Sequence, residues 1–299
     1  MVATGLPAPS VLGTARVQRT RKLVNACMTA SFVLAFVAVV VPLGFILFYV
    51  VKKGASVVDA DFLTRPIPVQ SRFPGGGMGP AVVGTLLITA AATVLAVPLG
   101  VLGGVYLNEY GGPGRLARVV RFLADVMTGV PSIVMGLFIF TVYVLRFGFS
   151  GFAGALGLAC LMLPVVIRST EEMLKLVPRE LRDASFALGG RKAKTIGRVI
   201  LPAAAPGIVS GALLAVARAA GETAPLLFTI LTVNEVNANI FHGPNTALSV
   251  QIFRNASALF PAQQARGWGA ALTLVAIVFV FTVAARVVTA VFSRKVVAQ

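Results

Sequence analysis

The chain has 299 residues, 57% hydrophobic and only 12% charged, with a mean hydropathy of +0.90. A soluble domain carries about a quarter charged residues, so this composition excludes one and points to a membrane protein of several helices. The net charge of +16 does not indicate nucleic acid, because the basic residues fall between apolar runs and leave no basic face once those runs are set aside.

Residues 1–25 read as a tail ahead of the membrane, with Pro7 and Pro9 favouring disorder near its start. Residues 26–299 then read as one transmembrane domain. About 20 apolar residues cross the hydrocarbon core. The first candidate span runs from Thr29 to Val51 without a charge and stops at Lys52 and Lys53. It is longer than a signal-peptide core and no small-residue cleavage site follows it. The second runs from Pro80 to Leu107. The third, Phe122 to Leu145, carries Asp125 near its beginning, as an end cap or bundle contact, and Pro131 inside. The fourth, Phe149 to Ile167, follows a short Gly148-to-Gly151 turn, and the fifth covers Ile200 to Gly221. The stretch Pro225 to Val233 is too short to span alone; it extends the fifth helix after a break or forms a re-entrant piece. The last span runs from Trp268 to Phe292, with Arg286 placed to snorkel toward headgroups.

Six spans put both termini on one side. Arg16, Arg19, Arg21 and Lys22 precede the first span, Arg115, Arg118 and Arg121 follow the second, and eight basic residues occupy Arg168 to Arg198. The alternate loops are poorer in Lys and Arg. The positive-inside rule therefore places both termini and the 168–198 loop in the cytoplasm, and puts Ser71 and Gly190 on opposite faces. Gly75-Gly76-Gly77 then falls outside, where it cannot cradle a nucleotide. Cys27 and Cys160 show no metal spacing, and His242 stands alone in a polar loop, so the chain offers neither a catalytic nor a metal constellation.

The 168–202 loop is too long for a turn. Pro178 suits the first turn of a helix, and Glu180 and Asp183 suit its positive end. Leu181, Ala184, Ser185 and Leu188 fall on one small apolar face, and Gly189-Gly190 end the helix. Such a face in the cytosol needs a cover, either the membrane surface or a protein groove.

Asp183-Ala184-Ser185, Gly189 and Val199-Ile200-Leu201-Pro202 resemble the EAA loop of ABC importer permeases, with Asp for Glu, Ser for the second Ala and Val for Ile. The resemblance implies a coupling helix, about 180–189, seated in a cleft of a separate ATPase. No Walker A pattern occurs in this chain; ATP and Mg would be bound by that partner, and this chain is expected to need no cofactor.

Val83-Gly84-Thr85-Leu86, Pro98-Leu99-Gly100, Tyr106 to Tyr110, Pro131-Ser132-Ile133, Gln251-Ile252-Phe253 and Trp268 to Ala271 are similar, in order and spacing, to segments of PstA-type permeases of bacterial phosphate ABC importers. Arg218-Ala219-Ala220-Gly221-Glu222-Thr223-Ala224-Pro225 resembles that family's fifth-span signature. The resemblance implies an all-α inner-membrane permease of about six spans and no enzyme activity of its own. Its partners would be a second permease of PstC type, two ATPases of PstB type, an extracytoplasmic phosphate-binding protein of PstS type, and lipid. It also implies a substrate path along Arg218, Glu222 and Thr223, and coupling through Glu180, Leu181, Asp183, Ala184, Ser185, Leu188 and Gly189.

The residues themselves leave two readings of Arg218. Glu222 lies one helical turn away, so the two form an ion pair that steadies the bundle, or Arg218 supplies positive potential to an anion and Glu222 holds it. A permease for sulfate or molybdate and an ATPase-independent anion transporter are the alternatives; the second leaves the Asp183-to-Gly189 helix unexplained.

Overall fold

A computed structural model describes residues 11–70 and 72–297. Pro7 and Pro9 of the expected tail, and Ser71, lie outside the described residues. The chain divides into two units, Met1–Lys52 and Lys53–Gln299. The first is dominated by α1, Val11–Gly54, a helix that runs without interruption through residue 25 and accommodates Pro42.

In the second unit, Asp59 opens α2, Ala60–Thr64: its carboxylate accepts the Phe62 amide at 2.6 Å. That cap buries Phe62 against Met78, Ala81, Leu248 and Ala270. Helix α3, Gly79–Val105, starts on Pro80, whose missing N–H costs nothing in a first turn. It continues as a π turn, Tyr106–Gly111.

The expected third span is not one helix. Helix α4, Arg115–Gly129, and α5, Ser132–Ile139, are separated at Val130 and Pro131, and the chain bends by 107° between them. The proline ring excludes helical geometry at the preceding residue, and Val130 is extended at φ −70°, ψ 127°. A π turn at Phe140–Val144 and α6, Leu145–Phe147, prolong α5. The arm from Ser132 to Phe147 is about 24 Å long at about 1.5 Å per residue, short of a hydrocarbon core of about 30 Å. Helix α4 pairs the basic residues Arg115, Arg118 and Arg121 with exposed Leu116, Val119, Phe122 and Leu123, the composition of a helix lying at an interface.

Ser150 caps α7, Gly151–Lys175, by accepting the Ala153 amide at 3.2 Å. Helix α8, Arg179–Ala187, is the helix expected in the long loop. The fifth span begins earlier than the apolar run does: α9, Lys192–Thr195, passes through a π turn, Ile196–Ile200, into α10, Leu201–Ala220. The Pro225 segment forms α11, Ala224–Thr229, after a break at Gly221 to Thr223. Helix α12, Leu248–Ala256, and α13, Pro261–Val297, complete the order, with no strand among the described residues. Among the described residues, five helices are long and apolar enough to cross a membrane, and the bent α4–α5 pair makes a sixth crossing if counted as one span.

Helices α3 and α7 form the centre. Gly100 and Gly104, four apart, let the backbones approach as small residues do in membrane helix pairs. A Cβ at Gly100 would lie 2.7 Å from the Val166 side chain, and one at Gly104 would lie 2.6 Å from that of Thr170. Ile88, Leu158, Met162, Val166, Val216 and Leu226 join α3, α7, α10 and α11 in the main core. A second cluster, Val105, Leu174, Val177, Ile196, Ile200 and Ile208, closes the end that carries α8. Gly136 brings α5 onto α11: a Cβ there would stand 2.6 Å from the Pro225 Cα.

Candidate functional site

Arg218 lies in the last turn of α10, which stops at Ala220. The Gly221 and Glu222 amides close the end on the carbonyls of Arg218 and Ala219, both at 3.1 Å. This turns the Glu222 carboxylate back to 3.7 Å from the Arg218 Nε. The Glu222 carbonyl accepts the Ser249 hydroxyl at 2.9 Å, which hooks the break to α12. Thr223 carries the turn into α11 through its carbonyl, which accepts the Leu226 and Leu227 amides.

Arg218 and Glu222 line a cavity of about 270 Å³, together with Thr128, Pro131, Met162 and Val165 among others. Thr223 does not line it. The Arg218 side chain is 74% exposed and that of Glu222 22%. The pair meets as the spacing predicts, but it is not buried within this chain, and an exposed pair holds a fold by less than about 1 kcal/mol. The guanidinium faces open space. No residue spacing places the α4–α5 break against Arg218, because a proline inside an apolar run is often tolerated in a span.

At the opposite end of α10, α8 presents Glu180, Leu181, Asp183, Ala184 and Leu188 as exposed residues. Phe186, which the spacing argument passed over, is 47% exposed beside them. Gly189 adopts φ +78°. Its amide donates to the Phe186 carbonyl and the Gly190 amide to the Ser185 carbonyl, both at 2.9 Å, a Schellman ending that a left-handed residue makes possible. Ser185 turns inward, 2.8 Å from the Thr195 hydroxyl. Arg182 turns inward as well and meets Glu109 at 2.9 Å.

A third group centres on Glu171, a residue not singled out from the sequence, and includes Asp125. The buried Glu171 of α7 accepts Arg121 Nε at 2.9 Å and Lys175 Nζ at 2.8 Å. Arg121 also donates to the Leu107 carbonyl at 2.8 Å. Arg168 pairs with Asp125, so Asp125 is a bundle contact. The i,i+4 spacing to Lys175 was a signal for Glu171, but Arg121, fifty residues away, was not. These pairs fix α4 to α7 and thereby hold one wall of the Arg218 cavity.

Comparison with known proteins agrees with this architecture. The profile of the family described as "Binding-protein-dependent transport system inner membrane component" matches residues 96–298. The "Phosphate transport system permease protein PstA 1" of Mycobacterium tuberculosis (strain CDC 1551 / Oshkosh) is 44% identical over 280 residues, covering 92% of this chain and 91% of that protein. The "Phosphate transport system permease protein PstA" of Yersinia pestis is 43% identical over 84% of this chain and 83% of its own length. Among solved structures, a chain of the MetNI methionine ABC transporter superposes with a TM-score of 0.59 at 20% identity, covering 72% of this chain and 97% of its own. That likeness is one of fold. The multi-pass helical architecture, the matched profile and the relatives' near-complete coverage place this chain in the family of binding-protein-dependent transport inner-membrane components, as a permease of PstA type.

Proposed function

We propose that this chain is the permease subunit of an ATP-driven importer that carries inorganic phosphate across the cytoplasmic membrane. The observation that carries the reading is Arg218: a fixed positive charge, only partly offset by Glu222, in a cavity between helices. A phosphate mono- or dianion in a low-dielectric passage needs such a charge, and anion pores use Arg or Lys for it. Relatives named for phosphate transport support phosphate over sulfate or molybdate.

Helix α8 is the contact to a separate ATPase, which binds ATP and Mg. Its exposed Leu181, Phe186 and Leu188 need a protein cover. The assembly would hold a second permease of PstC type, two ATPases of PstB type and a phosphate-binding protein of PstS type outside. Both termini and α8 face the cytoplasm in this reading. Leu188 and Leu259, each 90% exposed, test the orientation: Leu188→Cys and Leu259→Cys should label from opposite sides, and same-side labelling refutes it.

The test of function is to express the chain with these partners, purify it, and measure uptake in proteoliposomes. The ATPase should co-purify, and phosphate should accumulate in the lumen only when ATP is enclosed there, on the side that bears the ATPase. Uptake without ATP, or sulfate and molybdate transported in place of phosphate, would contradict the proposal.

A further inference from the structure

We infer that Glu109 and Arg182 form a positioning strut that carries movement of α8 into the helix bundle, an inference that rests on α8 being the ATPase contact. No residue of α8 is buried, so no apolar core holds this helix to the rest of the chain. Its attachment is polar and comes from its inner face. Arg182, with a side chain 19% exposed, donates to Glu109 at 2.9 Å. It also donates to the Leu174 carbonyl at 3.0 Å and the Val177 carbonyl at 2.7 Å. One side chain thus fastens α8 to the end of α7 and to the π turn that ends α3.

The acceptor is built to match. The Glu109 side chain is 8% exposed, and its Oε1 also accepts the Asn108 side-chain amide at 2.7 Å. A buried carboxylate without its cation would be strongly unfavourable, so the two side chains must shift together. The next residue, Tyr110, holds the Lys192 ammonium of α9 at 4.5 Å from its ring centre. On the other side, Ser185 meets Thr195 just before the π turn Ile196–Ile200. Helix α8 is therefore tied on both sides to residues in or next to π turns, the looser points at which α3 and the α9–α10 helix change their winding. Arg218 lies in the last turn of α10, at its far end. A push on the exposed face of α8 reaches these turns through Arg182 and Ser185.

The strut predicts uncoupling without disassembly. In proteoliposomes of the full complex, phosphate imported per ATP hydrolysed should fall about threefold or more in Glu109→Gln and in Arg182→Gln. The Glu109→Gln/Arg182→Gln double variant should fall no further than either single one, since one interaction is removed once. Glu109→Asp keeps the charge with a shorter reach and should give an intermediate ratio. ATPase co-purification should stay at the wild-type level in all of them. A wild-type ratio in assembled Glu109→Gln overturns the strut, as does a wild-type ratio in Glu109→Asp when Glu109→Gln fails to assemble. Failure of the wild-type chain to retain an ATPase overturns the docking reading itself, which distinguishes the two failures.

Discussion

Gly189 shows how much one backbone angle can carry. Its φ of +78° lets two amides reach the last carbonyls of α8, and a side chain in that region costs about 1–2 kcal/mol. A Cβ there would meet nothing within 4 Å, so the penalty is conformational and local. Gly189→Val should leave the protein in the membrane while lowering ATPase co-purification about fivefold or more, by distorting the end that carries Leu188. Unchanged co-purification and uptake would remove Gly189 from coupling. This residue was legible in the sequence because a helix ending is a local pattern, as was the Arg218–Glu222 contact at i,i+4. Arg182 was not legible. It sat unmarked beside the Asp183 motif, and its partner Glu109 lies 73 positions away, beyond any pattern of spacing.

Among the elements, α4 and α5 depart most from expectation. Hydropathy read Phe122 to Leu145 as one span, since its apolar content is continuous and Pro131 alone does not forbid crossing. What decides the geometry is tertiary. Arg121 is held by Glu171 and the Leu107 carbonyl, which fixes α4 across the end of α7, while Gly136 seats α5 on Pro225. The bend at Val130–Pro131 joins two helices already committed to different neighbours. Glu171→Gln removes the charge shared by Arg121 and Lys175. The loss should be about 2 kcal/mol, below the usual cost of breaking a fully buried pair, because both cations reach solvent. A melting temperature lowered by several degrees, with cleavage by added protease appearing near α4, is the expected result. An unchanged melting temperature would mean that α4 is held by its apolar contacts alone. The spans Gly79–Gly111, Gly151–Lys175 and Lys192–Ala220 were legible apart from their ends, where polar turns continue the helix past the apolar run.

At the scale of the molecule, the 192–220 helix runs from the α8 contacts at Thr195 to the cavity at Arg218, and α7 runs from Lys175 beside Glu171 to the core around Leu158 and Met162. The two functional ends of the account are therefore joined by continuous helices packed through small residues, an arrangement suited to rigid displacement. The central claim is that Arg218 serves the anion and does not merely steady the bundle. The exposure of the pair makes this separable, because removing both charges leaves no buried ion behind. The most direct measurement is phosphate uptake, normalised to assembled complex, by the Arg218→Gln/Glu222→Gln double variant. The account predicts normal assembly with uptake reduced about tenfold or more, equivalent to about 1.4 kcal/mol, and intermediate uptake in Arg218→Lys, where the charge remains but the planar fork is lost. Wild-type uptake by the assembled double variant would contradict it and leave Arg218 and Glu222 as an ion pair only.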